Sequence, residues 1–79
     1  MDREAILRKV IEVTSESLDV DASELSETTD FKQLGADSFD LLELVTAFED
    51  EFGATMDDES LMKIATISDA VDAIAKAQQ

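Results

Sequence analysis

Apolar residues along this chain recur at helical spacing through most of its length. Ile6, Val10, Val13 and Ser17 fall on one face, and Leu7 and Ile11 widen it, so a first helix is expected from a cap at Asp2 to about Ser17. The next stretch, "LDVDASELSETTDFKQLGAD", is polar and broken by single apolar residues: Leu18, Val20, Leu25, Phe31 and Leu34. That pattern predicts a long ordered loop pegged to a core, and loops of this length in small domains usually have a task. A second helix is expected from Ser38 to Gly53, glycine being favoured just past a helix end. A short third helix follows Asp58 through Leu61 and Ile64. A last helix begins at Ser68 or Asp69 and carries Ala70, Val71, Ala73, Ile74 and Ala77. Proline is absent and Gly35 and Gly53 are the only glycines, so few signals interrupt the helices. The prediction is an all-α bundle of three main helices and one short helix, forming one domain over residues 1–79.

The second helix has apolar residues to spare. On a wheel of 100° per residue, Leu41, Leu44, Val45, Phe48 and Phe52 form a core-facing stripe. Phe39 and Leu42 lie off that stripe, beside Thr46 and among Glu43, Glu49 and Asp50. An apolar centre with an acidic rim suits a contact patch. Scattered exposed apolar residues are also ordinary, so the wheel alone leaves both readings open.

Charge narrows the partners. The 79 residues carry 20 acidic and 6 basic side chains, a formal charge of −14, and a pI near 4.1. No lysine or arginine occurs between Gln33 and Met62. Such a surface repels nucleic acid and anionic lipid and steers basic protein patches towards it. A disordered acidic tail is the weaker alternative, because 44% of the residues are hydrophobic and they are periodic. Cysteine is absent, which rules out disulfides and thiolate metal sites and suits the cytoplasm. No apolar run is long enough to span a membrane, and the N-terminus lacks a signal-peptide core.

Candidate chemistry gathers at "LGADSFDLLEL", Leu34 to Leu44. As a nucleophile Ser38 would need a base, yet the chain has no histidine, and nothing marks Lys32 or Lys63 as a buried base. Ser38 or Asp37 could simply cap the helix. A third role is an anchor: a hydroxyl at a helix N-terminus is well placed to bear a phosphoryl-linked group, whose charge the free N–H groups and the dipole favour.

The run "FKQLGADSFDLLELVTAFEDEFG" resembles the signature of acyl carrier proteins, and "DDES" with "IATISDAVDAI" is similar to that family's third and fourth helices. The resemblance spans essentially the whole chain. It implies a four-helix carrier with 4′-phosphopantetheine joined to Ser38 by a magnesium-dependent phosphopantetheinyl transferase, and Asp37 engaging that enzyme and its metal. Acyl chains would travel as thioesters on the arm, so that the prosthetic group brings the sulfur the chain lacks. Phe39, Asp40, Leu42, Glu43, Thr46, Glu49 and Asp50 would meet basic patches on fatty acid synthase enzymes. Leu44, Val45, Phe48, Phe52, Ile64 and Ala65 would line the space for the acyl chain. The expected molecule is a cytoplasmic monomer and a substrate carrier without catalysis of its own, with no membrane insertion and no resident metal.

The sequence departs from the family pattern at several points. Phe39 stands where leucine is usual, "ATMDDES" lacks the common Ile-Pro, Thr46 replaces an apolar residue, and the last helix has no aromatic residue. A polyketide or other specialised acyl pathway therefore stands beside fatty acid biosynthesis. Two further rivals are an unmodified acidic docking protein and a calcium loop from Asp19 to Asp30. The loop is the weaker, because Glu24 occupies the glycine position and Asp30 that of the bidentate glutamate.

Overall fold

The computed structural model describes residues 2–78, apart from the side chain of Asp58. Four α-helices follow in order: α1 Arg3–Leu18, α2 Ser38–Phe52, α3 Asp58–Lys63 and α4 Ile67–Ala77. The α1–α2 connection contains two 3₁₀ turns, Ala22–Glu24 and Phe31–Leu34. The all-α architecture expected from the apolar spacing is thus observed.

Each helix start has its own cap. The Asp2 carboxylate accepts from the Ala5 N–H at 2.8 Å and opens α1. That helix runs one residue past Ser17, ending at Asp19, which adopts a left-handed φ of 55° and returns its N–H to the Ser15 carbonyl. Its buried line is Ile6, Val10 and Thr14, so the expected face is corrected: Val13 is half-buried and Ser17 exposed. Ser17 lies in the last turn of α1, next to its end at Asp19, whereas Thr14 lies a turn further in, beneath the elements packed on the helix. The start of α4 also moves. Thr66 is its cap, with the Asp69 N–H donating to Thr66 Oγ1 at 3.2 Å. Ser68 and Asp69 therefore lie in its first turn, not at its cap.

The core joins all four helices and the loop. It contains Ile6 and Val10 of α1, Leu44, Val45 and Phe48 of α2, and Ile67, Ala70, Val71 and Ile74 of α4. Leu25, Phe31 and Ala36 of the long connection are buried among them, and Leu18, Val20 and Leu34 pack against the same core. α1 packs most extensively on α4 and next on α2. At about 1.5–3 kcal/mol for each fully buried large apolar side chain, pegs such as Phe31 offset the entropy of ordering a long loop.

Backbone hydrogen bonds then fix where that loop ends. The Phe31 N–H donates to the Ala65 carbonyl at 3.0 Å, Ile67 to Thr29 at 3.0 Å and Ser68 to Glu27 at 2.9 Å. These three bonds join the segment before α2 to the α3–α4 junction. Arg3 adds side-chain links to Glu27, Ser68 and Asp72. These ion pairs are exposed, so solvent and salt screen them and they add little to stability.

Candidate functional site

The site is built where the second 3₁₀ turn meets α2. Gly35 closes the turn at φ 85°, a left-handed conformation that costs glycine nothing. Its N–H returns to the Lys32 carbonyl at 3.0 Å, and Ala36 tucks into the core with its N–H on the Phe31 carbonyl at 3.3 Å. The chain then leaves the core with Asp37 extended.

Asp37 is the cap of α2. The Asp40 N–H donates to Asp37 Oδ1 at 2.9 Å, and the Asp37 N–H reaches back to Asp40 Oδ2 at 3.4 Å, forming a capping box. Of the two residues that could have capped the helix, Ser38 is therefore not the one. It is the first residue of α2, it is exposed, and among the described residues its hydroxyl makes no hydrogen bond. The Ser38 and Phe39 N–H groups belong to the opening turn, which has no intrahelical acceptors for them. An exposed, uncommitted hydroxyl beside free donors fits a phosphate-linked group.

Ser38 borders an apolar cleft of about 390 Å³. Leu41, Leu42 and Val45 of α2 form one wall; Leu61, Met62, Ile64 and Ala65 form the other. An overlapping hollow of about 310 Å³ continues past Asp37 to Phe31 and Ala36. Lys32 borders both. The bonds between Phe31 and Ala65 and between Ile67 and Thr29 keep these walls together.

The residues expected to line an acyl space divide between cleft and core. Val45, Ile64 and Ala65 border the cleft. Leu44 and Phe48 are sealed in the core, and Phe52 packs half-buried at the far end of α2. Leu41 and Leu42 of α2 and Leu61 and Met62 of α3 also border the cleft, although the sequence reading did not place them there. The wheel separates core from surface, and a cleft lies at the seam between them.

On the outer face of α2, Phe39 is 66% and Leu42 53% exposed. Glu43, Thr46 and Asp50 are exposed around them. The Thr46 hydroxyl donates to the Leu42 carbonyl at 3.0 Å, so it is satisfied within the helix. Asp40 and Glu49 are half-buried and already bonded: Asp40 completes the capping box, and Glu49 accepts the Met56 N–H at 2.8 Å. Met62, 87% exposed, extends the apolar patch onto α3. Its signal in the sequence was the Leu61–Ile64 spacing, which turns Met62 away from the core.

The acids of the long loop act as local caps. Asp21 accepts from the Ser23 N–H and Oγ, both at 2.9 Å, which holds its carboxyl below the ordinary range. Asp30 accepts from the Lys32 N–H at 2.8 Å. Among the described residues no group of three or more acidic side chains converges as a metal site. No helix among them is long and apolar enough to cross a membrane.

Comparison with known proteins agrees with this geometry. The family model described as "Phosphopantetheine attachment site" matches residues 8–74. The acyl carrier protein of Rubrobacter xylanophilus is 44% identical over 79 residues, covering 99% of this chain and 98% of that one. The acyl carrier protein of Thermotoga maritima is 48% identical over 75 residues, covering 94% and 93%. Among solved structures, the crystal structure of acyl carrier protein from Thermotoga maritima superposes with a TM-score of 0.83 at 37% identity, covering 99% of this chain and 92% of that one. The acyl carrier protein from Enterococcus faecalis gives 0.78 at 38%, covering 98% and 99%. With a motif match across most of its length and near-complete relatives of the same fold, this chain belongs to the acyl carrier protein family and bears a covalently attached 4′-phosphopantetheine.

Proposed function

We propose that the Ser38 hydroxyl is the attachment point of that 4′-phosphopantetheine, and that the chain shuttles acyl intermediates as thioesters between enzymes of fatty acid biosynthesis in the cytoplasm. One observation carries the reading: Ser38 Oγ is exposed and unbonded at the first position of α2, beside an apolar cleft. A transferase would join this oxygen to the phosphorus of coenzyme A that bears the pantetheine, break the pyrophosphate bond, release the adenosine bisphosphate and take up the serine proton. The chain has no histidine to do the last of these, so catalysis is assigned to the transferase. Asp37, holding its carboxylate at the same helix end, is assigned to engage the transferase and its magnesium.

Phe39 and Leu42, rimmed by Glu43 and Asp50, are assigned to basic grooves on partner enzymes. Long-range attraction speeds encounter, and a small patch with a charged rim lets the complex part quickly. The cleft walls Leu41, Val45, Leu61 and Ile64 are assigned to the acyl chain. A specialised acyl pathway is favoured instead by the exposed Phe39, a bulkier knob than the leucine usual there, and by the polar Thr46.

Intact mass after incubation with coenzyme A, magnesium and a broad-specificity phosphopantetheinyl transferase tests the anchor. The wild type should gain one phosphopantetheine and Ser38→Ala none; an unmodified wild type, or a modified Ser38→Ala, rejects it. Elongation of the loaded carrier by a reconstituted set of fatty acid synthase enzymes tests the pathway. No turnover there, with turnover by enzymes of another acyl route, selects the specialised reading.

A further inference from the structure

Cations are scarce in this protein, and most of them are occupied. Arg3 pairs with Glu27 and Asp72, Arg8 with Glu4, Lys9 with Glu51, and Lys63 with Glu59. Among the described residues Lys32 and Lys76 have no carboxylate within ion-pair distance. Lys76 has an evident place: it lies in the last turn of α4, at the negative end of the helix, and borders a hollow with Asp57 and Asp72. Lys32 has none. In a chain of formal charge −14, a lysine without an acid is the exception.

Its position supplies a reason. Lys32 borders both hollows that contain Ser38, and no other cation borders either. The one other charged residue there is Asp37, which is bonded as the cap of α2. The remaining walls are apolar: Leu41, Leu42 and Val45 from α2, and Leu61, Met62, Ile64 and Ala65 opposite. The turn carrying Lys32 is fixed by Asp30, which accepts its N–H, and by Gly35, which donates to its carbonyl. An exposed lysine on a fixed turn therefore shares both hollows with the serine, and the one acid bordering them, Asp37, is bonded as the helix cap.

We infer that Lys32 is a positioning residue for the prosthetic group, its ammonium pairing with the phosphodiester attached at Ser38. This rests on Ser38 being the anchor. A phosphodiester at that oxygen brings a full negative charge next to Asp37 and into an acidic molecule, where like charges repel. The free N–H groups of α2 meet it from one side and Lys32 from the other. The pair keeps the root of the arm beside the cleft, against the walls of α2 and α3. A carboxylate on a loaded acyl group is the other anion of the right chemistry, and the experiment separates the two.

The lysine Cε–Hε cross-peaks of uniformly ¹³C-labelled protein are followed before and after modification with coenzyme A and transferase, with no acyl group loaded and with intact mass as the check. The Lys32 peak should move, those of Lys63 and Lys76 should not, and the movement should shrink in about 1 M salt, where the screening length is ~3 Å. The ³¹P resonance of the modified protein should differ between wild type and Lys32→Gln, and Lys32→Arg should restore it. A Lys32 peak that stays put despite the mass gain overturns the inference and leaves the Ser38 anchor standing. So does a peak that moves only after a carboxylate-bearing acyl group is loaded. No mass gain removes the anchor, and this inference with it.

Discussion

Thr14→Val is expected to stabilise the protein. Thr14 is fully buried on α1, in line with Ile6 and Val10, and its Oγ1 has no hydrogen-bond partner. A helical threonine can satisfy itself on the carbonyl one turn back. Here it does not. An orphaned buried hydroxyl costs about 1–3 kcal/mol relative to one left in water. Valine replaces that hydroxyl with a methyl of similar size, so the cost is removed without a large change of volume. In a domain of 60–100 residues each kcal/mol shifts Tm by roughly 4–8 °C. Thr14→Val should therefore raise Tm by at least about 4 °C in a circular-dichroism melt, at unchanged helical content and with the same ionic strength for both proteins. Thr14→Ser, which keeps the hydroxyl and loses the methyl, should lower it. A Thr14→Val melt at or below the wild-type value would refute the reasoning.

Three further outcomes are expected. Asp37→Ala removes the α2 cap and should cost about 1 kcal/mol in urea unfolding, with slower modification by the transferase in the same variant. Magnesium at millimolar level, or added salt, should raise Tm, because screening relieves the repulsion of a −14 chain; an unchanged melt counts against that electrostatic account. Asp69 accepts the Thr66 and Ala65 N–H groups, and these bonds hold its carboxyl below the ordinary range. A lowered folded value means stability that is present above the unfolded pKa of about 3.9 and is lost as pH falls through the folded one. The stability gap between wild type and Asp69→Asn should thus be open at pH 7 and narrow in acid, and a gap independent of pH contradicts it.

The helices were legible because their signals are local. Asp2 and Gly53 mark ends, and the Leu44–Val45–Phe48 spacing marks a core face. The stagger of α1 was not, since Thr14 is polar and its burial is set by the elements packed on it. The cap of α2 was not legible either: "DS" offers two capping residues, and only the Asp37–Asp40 bond shows that Ser38 is spared. Asp40 and Glu49 read as rim charges because their sequence neighbours are acids, while their backbone partners Asp37 and Met56 come from the turns around them. The cleft was half legible. Val45, Ile64 and Ala65 stand on it, but Lys32 and Met62 reach it through the loop and the short helix, whose placement depends on long-range bonds such as Phe31 to Ala65.

The most direct test of the account counts thiols. The chain contains no cysteine, so any thiol must arrive with the prosthetic group. Titration with a disulfide reagent after treatment with coenzyme A and transferase, and removal of free coenzyme A, should give one thiol per wild-type chain and none per Ser38→Ala chain. A thiol that persists in Ser38→Ala, or never appears in the wild type, would contradict the claim that this serine tethers the arm.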